Sequence, residues 1–125
     1  MSNTIHADTL PYRVADSAYI GDTWTDAVEI WEGDSVADKT AYNISGAAFT
    51  ATLKDPNGET VETFTEGDGI TVTDNLVTIT MPASLTATFT DKCCYSMDLQ
   101  AVWTSPAKTL TFVRYSITAY KDITA

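Results

Sequence analysis

The sequence predicts an all-β protein: an antiparallel β-sandwich of about seven to eight strands, preceded by an extended N-terminal arm. Three observations carry that prediction. Apolar and polar residues alternate over short runs, the period of a half-buried strand. Turn signals recur roughly every 8–12 residues, the spacing of sandwich folds. Of the 125 residues, 22 are threonine, whose β-branched side chain fits a pleated surface. No long helical segments alternate with the strands, which excludes α/β folds.

Residues 1–20 are weakly periodic and interrupted by Pro11. They read as an arm suited to pair with a sheet edge or a neighbouring chain, with Tyr12 and Tyr19 as its anchors. The sandwich domain then covers 21–125. Its first strand, 23–31, places Trp24, Val28 and Ile30 on one face, with Asp26 as the polar exception. Glu32-Gly33-Asp34-Ser35 turns the chain, and a polar connection runs over 37–45. The second strand turns Ala47, Phe49, Ala51 and Leu53 inward. Asp55-Pro56-Asn57-Gly58 is a turn with Pro and Asn central, so 59–65 returns as a hairpin partner. The change of parity between Val61 and Phe64 marks a bulge or twist there.

Glu66-Gly67-Asp68-Gly69 makes the next turn. Strands 70–73 and 76–81 form a second hairpin about Asp74-Asn75, a sound central pair for a tight turn. Residues 82–89 admit one helical turn, with Leu85 and Phe89 at i and i+4; their threonines argue against a longer helix. Strand 94–103 turns Tyr95, Met97, Leu99 and Ala101 to one face. Ser105-Pro106-Ala107-Lys108 then leads into the last strand, 109–120, whose parity switches at Phe112-Val113, again the mark of a bulge.

Composition narrows the function. The net charge is −10, from 7 basic and 17 acidic residues. Without a basic run, such a chain is unsuited to phosphate backbones, so no nucleic-acid partner is expected. Anionic membrane surfaces repel it, and no apolar run is long enough to span a bilayer. The N-terminus lacks the basic and apolar regions of a signal peptide, so cytoplasmic synthesis is expected. The one histidine, His6, lies in the arm, a poor base for a catalytic triad. No glycine-rich phosphate cradle is present. The acidic pairs sit in turns without the spacing of a calcium loop. No catalytic residue, metal ligand or cofactor is therefore assigned. Cys93 and Cys94 are adjacent; strand geometry points them to opposite faces, one buried and one half-exposed.

The aromatic residues are the remaining candidates. Trp24 belongs to the core face. Trp31 lies on the opposite parity, where core-edge packing and interface use weigh equally. Trp103 ends its strand, and packing is the favoured reading. Trp31, Trp103, Tyr12 and Tyr19 are thus the candidate partner-binding residues.

In order, several motifs carry a resemblance. Gly21-Asp22-Thr23-Trp24 opens a strand, and Tyr42-Asn43-Ile44-Ser45-Gly46 leads into the next. Asp55-Pro56-Asn57-Gly58 turns, and Cys94-Tyr95-Ser96-Met97-Asp98-Leu99-Gln100 forms a later strand. This series resembles the small immunoglobulin-like domains of tailed-phage structural proteins, of the baseplate upper-protein N-terminal or tail-adaptor type, over about residues 20–121. The Ser105-Pro106 turn departs from that pattern, and the arm has no counterpart in it. The resemblance implies an immunoglobulin-like sandwich and a non-enzymatic structural role in a virion assembled in the host cytoplasm. Other virion proteins and further copies of the chain are the implied partners. The alternative is a carbohydrate-binding or adhesion module that uses exposed Trp31 or Trp103 on a glycan.

Overall fold

A computed structural model describes residues 2–6, 12–32, 40–41, 44, 46–104 and 107–121. The turn at 33–35, most of the connection 37–45, Pro11 and the Ser105-Pro106 turn lie outside the described residues. Among the described residues, ten strands and one helical turn follow in chain order: β1 Ser2–His6, β2 Tyr12–Tyr19, β3 Trp24–Glu32, β4 Thr40–Ala41, β5 Ala48–Lys54, β6 Thr60–Glu66, β7 Gly69–Thr73, β8 Leu76–Met81, α1 Ala83–Thr86, β9 Cys94–Thr104 and β10 Ala107–Tyr120. The chain is all-β, as its alternation predicts.

The strands join into one sheet in the order β1-β3-β8-β7-β6-β5-β9-β10-β2, with β4 also on β3. The two predicted hairpins account for the antiparallel pairs β5·β6 and β7·β8, and β9 and β10 also pair antiparallel. The expectation of a wholly antiparallel sandwich does not hold: β1 runs parallel to β3, β2 parallel to β10, and β6 meets β7 in parallel over two residues. The physical reason is connectivity. A tight turn can only return a strand antiparallel, and none of these three pairs is joined as a hairpin. At Gly67-Asp68 the chain loops through Thr65 N–H to Asp68 O at 3.1 Å and Gly67 N–H to Ile70 O at 3.0 Å. It then continues in its original direction, so one strand passes from β5 to β8 and links the two halves of the sheet.

The arm is part of this sheet. All eight residues of β2 pair with β10, from Tyr12 beside Val113 to Tyr19 beside Tyr120. β1 pairs with β3 from Ser2 beside Ala27 to His6 beside Trp31. Two strands adjacent in sequence therefore lie at opposite ends of the sheet order. The sheet curls until those ends approach, giving a nearly barrel-shaped body.

The predicted inner faces form its core. Val28, Ile30, Ala51, Leu53, Val77, Ile79, Met81, Leu99, Phe112 and Ile117 are fully buried, each worth about 1.5–3 kcal/mol for its larger side chains. The two predicted parity changes are bulges: the register slips at Val61, between Leu53 and Lys54 of the partner, and at Phe112. The slip at Phe112 lets two successive residues, Phe112 and Val113, both face inward. Residues 82–89 make the single predicted helical turn. Thr86 is buried in it and donates its hydroxyl to Asp22 O at 2.7 Å, tying the turn to the start of β3.

Gly69 tests the corner. Its φ is +98°, and a Cβ added there would lie 2.5 Å from Phe64 Cδ1. Gly58 has φ +84° but open space around it. Gly58→Ala should cost only the backbone strain, about 1–3 kcal/mol. Gly69→Ala should cost measurably more in urea unfolding, because Phe64 must also move.

Candidate interaction surface

The edge β2 is positioned by a chain of contacts across the closing seam. Asp16 of β2 accepts the Trp24 indole N–H at 3.2 Å. Trp24 stands edge-on to Tyr115, ring centroids 5.5 Å apart, the favoured geometry for an aromatic pair. Tyr115 in turn donates its hydroxyl to Asp26 Oδ2 at 2.8 Å. Asp26 is 4% exposed, so the polar exception on the inner face of β3 is a buried carboxylate held by a hydrogen bond from β10. Burial, then the Asp26 charge, hold the Tyr115 phenol far above its ordinary value.

With β2 fixed in this way, its outer edge faces solvent. Tyr12 is 37% exposed, Tyr19 53%, and Tyr120, which pairs with Tyr19, 41%. Among the described residues these are three of the four large hydrophobic side chains classed as exposed, the fourth being Val102. Arg13, Ala15, Asp16 and Ser17 are also exposed. The structure thus gathers Tyr12 and Tyr19 on one edge, and adds Tyr120, which sequence reasoning placed only in the last strand. The signal that would have found Tyr120 is the parallel β2·β10 pairing, which no hairpin announces.

The two tryptophans do not join that edge. Trp31 is half-buried on β3, beside β1 and β4. Trp103 is half-buried against the core, edge-on to Phe112 at 6.5 Å, with Lys108 Nζ 4.9 Å above its ring. A cation over that face occupies the π-surface on which a sugar would stack. Cys94 is exposed and Cys93 half-buried, both as free thiols.

Among the described residues, no three His, Cys, Asp or Glu side chains gather in a way that would hold a metal ion. None of the described helices is long and apolar enough to cross a membrane. No family model matches the chain. No curated protein shows significant similarity to it.

The seam predicts a specific alkaline behaviour. Below about pH 10, the ordinary tyrosine value, both folded and unfolded chains keep the Tyr115 proton. Above it the unfolded chain releases that proton and the folded chain retains it, so stability falls as pH rises, by up to about 1.4 kcal/mol per pH unit for this one group. Tyr115→Phe should cost about 1–3 kcal/mol at neutral pH. Its denaturation midpoint should then decline less steeply than that of the wild type between about pH 10 and 12.

Proposed function

We propose that this chain is a non-enzymatic structural or adaptor component of a bacteriophage virion, in a tail, baseplate or fibre attachment. It joins other virion proteins, and further copies of itself, through the β2 edge. The observation that carries this reading is the end strand β2, six of whose eight residues are exposed, Tyr12 and Tyr19 among them, with Tyr120 alongside. Exposed strand edges are templates for pairing with another chain, and tyrosines supply contact area with a polar tip. The edge carries one Arg and one Asp, so it is locally neutral in a chain of net charge −10 and does not repel its own copy.

The immunoglobulin-like part of the reading draws support from two features. The orders β3-β8-β7 and β6-β5-β9-β10 correspond to the B-E-D and C′-C-F-G leaves of that fold. Tyr95, near the start of β9, accepts the Thr90 backbone N–H on its hydroxyl at 2.9 Å, the pattern of a tyrosine corner. The motif series in the sequence supplies the phage association. The glycan-binding alternative gains nothing from Trp103, whose ring already carries Lys108.

Deleting 1–19 would strip two paired strands from the sheet, so point substitutions are the cleaner test. Tyr12→Lys combined with Tyr19→Lys places charge on the edge, the natural means of blunting it. In analytical ultracentrifugation the wild type should self-associate and the double variant should sediment as a folded monomer. A monomeric wild type across the concentration range would remove the self-assembly claim.

A further inference from the structure

A second surface lies in the middle of the sheet order, at the corner where β6 passes into β7 and pairs with it over only two residues. A groove of about 660 Å³ opens between the outer edge of β6, the start of β7 and α1, within the size range of ligand sites. Its floor includes Phe64 and Ile70, both buried, and its rim carries Glu62 and Asp68. Thr80, Ser84 and Leu85 also line it. No lysine or arginine lines it.

The β6 edge is the informative wall. Two residues into the corner, Thr65 spends its outward backbone groups on Asp68: its N–H donates to Asp68 O at 3.1 Å and its O accepts from Asp68 N–H at 2.9 Å. One pleat earlier, Thr63 N–H likewise points away from β5, toward the groove. It donates to the carboxylate of its own neighbour, Glu62 Oε1, at 3.2 Å. A strand donor held by an exposed, flexible carboxylate is available to a better acceptor once that carboxylate is drawn elsewhere. A cation does so.

We propose that this groove binds an extended, lysine- or arginine-bearing segment of a partner protein, which adds as a strand along the Thr63 edge and sets its cationic side chains on Glu62 and Asp68. The incoming ammonium or guanidinium attracts the Glu62 carboxylate away from Thr63 N–H, and a backbone carbonyl of the segment takes its place. Main-chain pairing gives affinity, and the two carboxylates with a cation-free wall give the preference for basic over acidic segments. The inference is independent of the virion reading and of the β2 edge.

The test uses the full chain and an acetylated, amidated hexapeptide of alternating lysine and threonine. Binding is read by fluorescence anisotropy and by the Thr63 amide resonance. The peptide should bind with Kd below about 1 mM and shift the Thr63 amide. The glutamate-for-lysine peptide should not bind. The lysine peptide N-methylated at alternate residues, which keeps charge but loses strand donors, should bind at least about tenfold more weakly. Glu62→Gln with Asp68→Asn keeps acceptors at both exposed sites while removing charge, and should weaken binding about tenfold with unchanged circular dichroism. An unmoved Thr63 amide, equal binding of the N-methylated peptide, or undiminished binding by the charge variant would each overturn the proposal.

Discussion

The seam between β3 and the β10–β2 end of the sheet is the constraint on which the rest of the structure depends. A ten-stranded sheet that curls this far must bring its ends into contact, and the contacts it makes there are directional. Asp16 holds the Trp24 indole, Trp24 stands against the Tyr115 ring, and Tyr115 holds Asp26. A seam of apolar side chains alone would tolerate sliding. A buried carboxylate with a fixed donor does not, because any slip leaves a desolvated charge without its hydrogen bond. That condition fixes β3 against β10, and the Asp16–Trp24 bond adds a directional tie to β2, the strand that carries Tyr12 and Tyr19.

A closed barrel would have no edges. This sheet stops short of closure, and its open positions are handled alike. On β2 the Ser17 N–H donates to the carboxylate of Asp16 at 2.8 Å; on β6 the Thr63 N–H donates to the carboxylate of Glu62 at 3.2 Å. In each case the residue before an outward-pointing donor supplies the acceptor. Part of the acidity of the chain thus serves as local cover for strand edges, which protects them from indiscriminate pairing. The cover is a side chain, and it opens more readily than a buried ladder.

The inner faces of β3, β5, β8, β9 and β10 were legible in the sequence because strand burial has a period of two residues, and alternation reports it directly. Both bulges were legible because each breaks that period once. The turns at Asp55-Pro56-Asn57-Gly58 and Asp74-Asn75 were legible from local backbone chemistry. The parallel pairings were not, since they depend on partners far apart in the chain and leave no mark in local spacing. For the same reason the arm read only as suited to pair with a sheet edge or a neighbouring chain, and not as two strands at opposite ends of one sheet. Asp26 was visible as an anomaly in an apolar series, but its partner Tyr115 lies on β10. Of the four aromatic candidates, Tyr12 and Tyr19 share one edge and the two tryptophans lie elsewhere, a distinction that only the pairing of β2 with β10 reveals.

The pairing of β2 with β10 also sets a timetable. During synthesis, residues 12–19 leave the ribosome first among these two strands, and their partners at 113–120 leave last. Hairpins β5·β6 and β7·β8 can form as soon as they emerge, while β2 must wait for β10. Contacts of such long sequence separation form slowly, and an unpaired strand is exposed to aggregation meanwhile. The carboxylate of Asp16 beside Ser17 N–H, and the absence of a long apolar run in 12–19, suit a segment that has to remain dissolved until β10 has emerged.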